Sequence, residues 1–372
     1  MLKINSIKLT NYRQFKSANF DFFEKNSDDS IILIIGKNGS GKTNLANAIS
    51  WCFFGKEIYN FNRNNRILLL NNEISHKMKE KERRVVSVEI QFTDINKDTI
   101  IINRSITFEK KNGIISNIIT NSDNNYKTDF KLYKKTDNAL KQHDKPNSVI
   151  QKLLPEFLIE NISFNGEKIS QYAKIQSISI LQKAFSIYCK NRIGELKDKL
   201  KNEFIEKLNF QINEIFQELT DKEELWQNIN INSKFILSLQ LKSGIDAIST
   251  LAAMDESHLS LAFIAALYKI LDLNFPLIFD APFLYYDTSN RKKAFENLTK
   301  TLNKNQLIFF LHTKETIDEF TTSLSNVIVK SLDRKNPNKK TKYVELYKLK
   351  HSSNEKSGIA IIEKHAIFEF KI

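Results

Sequence analysis

The chain has 372 residues, 41% of them hydrophobic, with 56 Lys and Arg against 43 Asp and Glu. That supplies enough apolar material for a sizeable core and excludes wholesale disorder, while no run of about 18 apolar residues offers a membrane-spanning helix. The two cysteines, Cys52 and Cys189, form neither a CxxC pair nor a disulfide framework, so a reducing cytosol is the simplest compartment.

The length allows two or three domains of ~150 residues, or one large α/β unit. The N-terminal MLKINSIKLTNYRQF lacks the apolar core of a secretory signal. Residues 2–10 alternate apolar and polar side chains and predict a half-buried strand; 31–35 (IILII) predict a central one. A glycine-rich turn follows, then helical character over 42–54. Residues 84–92 and 98–108 are rich in β-branched side chains, the second leading into Lys111-Asn112-Gly113, a hairpin turn. Residues 121–147 are polar and charged and read as a loop or inserted segment. Leu196, Leu200, Phe204, Leu208, Ile212, Ile215 and Leu219 recur at helical spacing, and Leu181, Phe185 and Tyr188 make a similar stripe before them. They predict a helix pair over 170–190 and 195–219, joined near Gly194. From 234 onward, strands at 235–241, 276–280, 306–311, 325–331 and 343–349 are interleaved with helices at 256–271 and 289–303, an α/β pattern.

Residues 36–43, GKNGSGKT, fit the phosphate-loop pattern G-x-x-x-x-G-K-[ST] between an apolar strand and a helix. Glycines at 39 and 41 let backbone N–H groups turn inward, and the helix start aims its positive end at the same anion. Lys37, Asn38, Gly39, Ser40, Gly41, Lys42, Thr43 and Asn44 are therefore the expected nucleotide cradle. Lys42 would reach the β- and γ-phosphates, and Thr43 would offer its hydroxyl to Mg²⁺. A metal held this way needs a carboxylate. Asp280, closing the apolar strand PLIFD, is the candidate; His312, after QLIFFL, is a candidate γ-phosphate sensor.

Jointly these motifs resemble the ATPase head of the SMC/RecF-type ABC ATPases. IKLTNYRQF resembles the family's first strand and Asn-aromatic-basic turn, and NAISWCFFG its helix after the phosphate loop. LLPEFLIENISFNGEKI resembles the segment before the coiled coil in DndD-type and Lamassu-type defence ATPases. PLIFDAPFLYYD resembles their Walker B strand and D-loop, and LIFFLHTKE their switch-histidine strand. The resemblance implies an α/β P-loop fold of two lobes, 1–169 and 223–372, with an inserted helical arm at 170–222. It implies two heads closing face to face on two molecules of ATP with Mg²⁺. Arg13 would lie near phosphates or DNA. Asn165 would sense Mg²⁺ and the attacking water. Asp287 would sit in the D-loop at the dimer interface. Asp255, Glu256 and Ser257 would open the signature helix that faces the other subunit's γ-phosphate.

Three departures stand against that pattern. The signature motif, roughly LSxGE, is replaced by Ala252-Ala253-Met254-Asp255-Glu256. Asp255 would suit a helix N-cap, yet its charge facing a phosphate charge at 4 Å would repel by about 4 kcal/mol at an effective dielectric of ~20. Ala281 stands where many relatives carry a catalytic glutamate and cannot deprotonate water; Glu256 and Glu315 are the expected substitutes. The helix pair is also shorter than the family's coiled coils, either as a naturally short arm or because a long coil was removed.

The resemblance implies an ATP hydrolase, slow because of Ala281, that couples ATP-driven dimerisation to double-stranded DNA in repair or anti-phage defence. Other subunits, a nuclease among them, would be partners. The alternative is a non-hydrolysing ATP switch that controls an effector. A transporter subunit and a P-loop kinase fit less well. The net charge of +13 agrees with DNA, with Lys77, Lys79, Arg83, Arg84, Lys335, Lys339, Lys340 and Lys342 as candidate contacts, although a generally Asn-, Ile- and Lys-rich composition would produce the same charge.

Overall fold

The structure is a computed structural model that describes residues 2–22, 31–57, 69–94, 96–117, 128–135, 140–153, 163–165, 186, 197–222, 224–312, 341–351 and 360–371. Two sheets and the helices between and beside them make the core. The first is antiparallel and contains β1 (Lys3–Tyr12), β2 (Phe15–Asp21), β4 (Arg83–Thr93), β5 (Thr99–Lys111), β6 (Ile114–Asn117), β7 (Asp129–Lys135) and β8 (Leu140–Gln142). Its order is β2-β1-β4-β5-β7-β8, with β6 paired to β5 through the Asn112-Gly113 turn. Burial alternates along β4 and β5, as it must for strands with one face on the core.

The second sheet holds β3 (Ile31–Gly36), β9 (Ser163–Asn165), β12 (Leu277–Asp280), β13 (Leu307–His312), β14 (Thr341–His351) and β15 (Ala360–Lys371), in the order β15-β14-β3-β13-β12-β9. Every neighbouring pair is parallel except β14 with β15. Full burial of β3 follows from that central position; a parallel strand covered on both faces reads as a continuous apolar run.

Helix α1 (Lys42–Phe54) packs against strands of both sheets and is apolar around most of its circumference. Its C-terminus closes at Gly55, whose φ of +73° suits glycine. Arg104 of β5 donates from Nε to the Cys52 carbonyl at 3.0 Å and from Nη2 to Phe53 at 3.4 Å, satisfying carbonyls at the helix's negative end. A Cβ at position 55 would stand 3.3 Å from Arg104 Nη1, so the glycine also makes room for the cap. Burial pulls the Arg104 pKa down to about 10.

The sheets are tied by Gln306, which precedes β13. Its Oε1 accepts from the Ile4 N–H at 2.7 Å and its Nε2 donates to the Ile4 carbonyl at 2.8 Å. The side chain thus replaces a strand partner where β1 bulges between Ile4 and Ser6.

The short helices α2 (Asn72–Lys77) and α3 (Pro146–Leu153) lie beside the first sheet; the longer α4 (Lys197–Leu219), α5 (Ala253–Ile270) and α6 (Thr288–Thr301) pack together. The stripe Phe204, Leu208, Ile212, Ile215 and Leu219 of α4 is buried. A hairpin of β10 (Trp226–Ile231) and β11 (Leu237–Leu241) follows α4. The carbonyls ending α4 are capped by α6: Lys293 Nζ donates to Thr220 O at 2.6 Å and Asn297 Nδ2 to Glu218 O at 2.5 Å.

The reading of 121–147 as loop is corrected in part. Residues 129–135 and 140–142 extend the antiparallel sheet, and α3 begins at 146. The stretch is strongly polar because little of β7 faces the core: Leu132 alone is fully buried there. The strands β9, β10 and β15 had no clear sequence signal. Expected helix 170–190, apart from residue 186, and strand 325–331 lie outside the described residues.

Candidate nucleotide site

The carboxyl ends of four adjacent parallel strands bring the site together. Asn165 ends β9, Asp280 ends β12, His312 ends β13 and Gly36 ends β3. Asp280 lies opposite Asn165 across one strand pair, and His312 opposite Gly36 across another. In open α/β sheets ligands bind beyond the carboxyl ends of the strands.

The loop 37–41 leaves Lys37, Asn38 and Gly39 exposed and buries Ser40, Gly41 and Lys42. Gly39 and Gly41 have φ of +77° and +106°, conformations that a side chain would strain. Gly41 is the N-cap of α1 and offers no side-chain cap, and the first turn holds no acidic residue. The helix therefore presents backbone N–H groups and a positive dipole end to whatever occupies the loop. Lys42 Nζ donates to the carbonyls of Gly36 at 2.7 Å and Lys37 at 3.1 Å, which curls its ammonium over the loop. Thr43 Oγ1 donates to Asp280 Oδ2 at 2.9 Å.

These residues fit a nucleotide with Mg²⁺. The buried Ser40 hydroxyl has no partner among the described residues, the helix start is uncapped, and one hydroxyl meets one carboxylate. Mg²⁺ commonly takes such a sparse protein donor set and fills the remainder with phosphate oxygens and water. Among the described residues no cluster of three or more His, Cys, Asp or Glu could hold a metal by itself.

Arg13 is paired with a carboxylate. It occupies a left-handed turn, φ 46°, and its guanidinium forks onto Glu57 at 2.8 and 2.5 Å. Tyr12 donates its hydroxyl to the same carboxylate. Burial opposes the Arg13 charge, but the hydrogen bonds and charge of Glu57 outweigh it and raise the pKa. Contact with the loop instead comes from the next residue, Gln14. Its Nε2 donates to the Gly39 carbonyl at 2.6 Å, and its Oε1 accepts from Asn44 Nδ2 at 2.8 Å. Sequence reading passed over both Gln14 and Glu57; the only local hint for Gln14 was its place in NYRQF.

The start of α5 also differs from expectation. Its N-cap is Ala252, and Asp255 lies inside the first turn. Asp255 is 3% exposed, and its Oδ2 accepts from Lys222 Nζ at 2.9 Å, so the carboxylate is neutralised from the segment after α4. Ser257 is fully buried and donates its hydroxyl to the Ala253 carbonyl at 2.9 Å. Its side chain is turned away from the surface that the expected role required, because the helix rotates it onto the core. Glu256 remains half-buried, with Ala252 and Ala253 exposed beside it.

Asp287 is the N-cap of α6, accepting from the Asn290 N–H at 2.9 Å and the Ser289 hydroxyl at 2.8 Å. The backbone N–H leads in holding its carboxyl below the usual range. Asn290 links this cap to Asp221 at 3.1 Å. Between Asp280 and Asp287, Phe283 and Tyr286 are buried anchors, whereas Leu284 and Tyr285 are 40% and 43% exposed. Ala281, φ 48°, makes the sharp turn out of β12.

Beneath this region His258 is fully buried, its ring 4.9 Å from that of Tyr286. Neither ring nitrogen has a hydrogen-bond partner among the described residues. Burial lowers its pKa to about 4, against the opposing pull of Asp255 and Asp221.

Three of the four basic residues expected in the first lobe meet acids: Lys77 with Glu73 at 2.5 Å, Arg83 with Glu109 at 3.3 Å, and Arg84 with Glu82. Lys335, Lys339, Lys340 and Glu315 fall outside the described residues, and the side chain of Lys342 is not described. Among the described residues no helix is long and apolar enough to cross a membrane.

The strand ends, the loop and the uncapped helix define a P-loop nucleotide-binding α/β fold. A family model described as AAA domain matches residues 6–248, well over half of the chain, and the chain belongs to that family. The DNA replication and repair protein RecF of Flavobacterium johnsoniae is 41% identical over 59 residues, a match spanning 16% of this chain and 15% of that protein. Among solved structures, an SMC head bound to the C-winged helix domain of ScpA aligns over 100% of this chain and 98% of its own, with TM-score 0.62 and 13% identity. An Smc head with an extended coiled coil, bound to the C-terminal domain of ScpA from Pyrococcus furiosus, aligns over 100% and 97%, with TM-score 0.60 and 12% identity. The chain has the fold of an SMC head.

Proposed function

We propose that the chain is an SMC/RecF-like ATPase head that binds ATP with Mg²⁺, closes against a second copy, and couples closure to double-stranded DNA. The observation that carries this reading is the convergence of Gly36, Asp280, Asn165 and His312 at adjacent strand ends, with Thr43 on Asp280. In this reading Lys42 leaves the Gly36 and Lys37 carbonyls for the β- and γ-phosphates. Thr43 and Asp280 hold Mg²⁺, which neutralises phosphate charge when bound. Asn165 orients the attacking water, and His312 reports on the γ-phosphate. Leu284 and Tyr285, beside Asp287 and the start of α5, supply the apolar part of the closing face. Residues 1–169 and 223–372 act as the two lobes, with 170–222 as the arm base.

The local RecF match and the SMC-head fold support a DNA-related role. The motif resemblance to DndD-type and Lamassu-type ATPases extends it to cytoplasmic anti-phage defence beside a partner nuclease. ATP turnover and molecular mass, measured with and without linear and circular duplex DNA, test the reading. Turnover abolished by Lys42→Ala, with an ATP-dependent dimer, is the expected result. A monomer that ignores both ATP and DNA at low salt sinks it. Phosphate-mediated DNA binding should also weaken steeply between low and physiological salt.

A second reading, an ATP switch with little hydrolysis, is favoured by Ala281. No carboxylate follows Asp280, and the left-handed turn there directs the chain away into the D-loop. Single-turnover measurement separates the two: retained ATP with negligible phosphate release supports the switch.

A further inference from the structure

We propose that Gln14 is a positioning residue for the phosphate loop, setting the conformation of its apex before nucleotide arrives. This rests on the ATP-site reading and adds a residue to it. Gln14 lies outside the loop motif, on the turn between β1 and β2. Its single side-chain amide makes two contacts of opposite polarity. The N–H donates to the Gly39 carbonyl at 2.6 Å, and the oxygen accepts from Asn44 Nδ2 at 2.8 Å. Gly39 is the exposed apex of the loop, and Asn44 stands in the first turn of α1. Gln14 therefore spans the loop from apex to helix.

The direction of the Gly39 carbonyl matters because a peptide unit has two ends. The Gly39 carbonyl and the Ser40 N–H belong to one planar unit and point to opposite sides: Gln14 holds the carbonyl end, the Lys37 carbonyl accepts from the N–H end at 3.1 Å, and the plane so fixed sets the shape of a loop that works by presenting its other N–H groups to an anion. Gly39 has φ +77° and no side chain, so within the loop this peptide is held by the Ser40 N–H to Lys37 carbonyl bond. Gln14 adds a second restraint, on the carbonyl end, from outside the loop.

The turn that carries Gln14 is itself held. Tyr12 and Phe15 on either side are fully buried. Arg13 donates its N–H to the Leu69 carbonyl at 2.7 Å, and its carbonyl accepts from Asn71 Nδ2 at 2.6 Å. Arg13 is further clamped on Glu57. The residue expected to touch phosphate thus serves as the foundation for its neighbour, which touches the loop.

A preorganised loop lowers the ordering cost of binding, so Gln14 should act on affinity for the phosphate chain and leave the chemical step alone. Gln14→Met keeps the side-chain length and deletes both hydrogen bonds. Gln14→Glu keeps the acceptor for Asn44 and replaces the donor to Gly39 with a repelling oxygen. With the full chain, Mg-ATP and Mg-tripolyphosphate binding are titrated for wild type and both variants, alongside kcat, KM and the thermal midpoint without ligand. Gln14→Met should weaken both ligands by the same roughly three- to tenfold factor, raise KM by that factor, and leave kcat and the ligand-free midpoint unchanged. Gln14→Glu should weaken them further.

Unchanged affinity in Gln14→Met overturns the inference while the ATP-site reading stands. A fall in the ligand-free midpoint with affinity intact assigns Gln14 a merely structural role and also overturns it. Wild-type protein that binds neither ligand sinks the reading of the site, and this inference with it.

Discussion

The starts of α1 and α5 are both helix N-termini whose N-cap residue supplies no side-chain cap, yet their first turns are built in opposite ways. At α1 the N-cap is a glycine, the first turn carries no acid, and Lys42 and Thr43 face the strand ends. At α5 the first turn carries Asp255 and Glu256, and Ser257 turns into the core. Neither N-cap residue supplies a side-chain cap, so the α1 end attracts anions, whereas the acids in the first turn of α5 already answer its dipole. Helix polarity alone does not make an anion site; the side chains of the first turn decide whether the charge is still available.

The largest effect should fall on the open end. Lys42→Ala removes the cation of the cradle and should lower ATP turnover at least about a hundredfold, as losing a preorganised charge contact to a phosphoryl group does. Retained turnover would show that the α1 end works on phosphate without this cation and is no more of an anion site than the start of α5.

Acid should next act on the closed end. His258 has its pKa lowered from the ordinary 6.5 to about 4. The unfolded chain therefore takes up a proton that the folded one refuses. The stabilisation is fully present above pH 6.5 and is lost as pH falls toward 4, by up to about 3 kcal/mol. Urea midpoints across that window should drop in wild type and fall less in His258→Leu. Parallel curves for the two proteins refute the assignment.

Asp280→Asn tests the metal side of the open end. It keeps the shape and loses the charge beside Thr43, and should raise the Mg²⁺ concentration needed for half-maximal ATP binding by about ten- to a hundredfold. An unaltered Mg²⁺ requirement would move the metal elsewhere.

The smallest expected effect concerns Lys222. Lys222→Met leaves Asp255 buried without its cation. Breaking a fully buried pair costs about 3–5 kcal/mol, but the Lys222 side chain is 38% exposed, so solvent should reduce this to about 1–2 kcal/mol. Adding Asp255→Asn should restore most of the loss. Denaturant melts of the two single variants and the double variant measure the coupling, and additive losses would show that no pair exists.

Much of this architecture was legible. IILII at 31–35 could hardly be other than a central strand, and GKNGSGKT between a strand and a helix fixes its own local geometry. The polar stretch 121–147 hides its strands because β7 keeps one fully buried side chain, Leu132, and β8 at the sheet edge keeps none. The Asp255 carboxylate posed an electrostatic problem whose answer, Lys222, lies 33 residues away and leaves no mark in local sequence. Arg13 matched a motif whose local chemistry suits phosphate, and only its three-dimensional neighbour Glu57 turned it into an internal ion pair.

Local chemistry determined the loop, the helix after it and the apolar strands, because backbone conformation and burial periodicity are set by residues a few positions apart. Tertiary structure decided which polar groups remain available. Pairing between distant residues is a matter of register and packing, and it gave Arg13 and Asp255 partners of opposite charge while leaving the first turn of α1 without an acid.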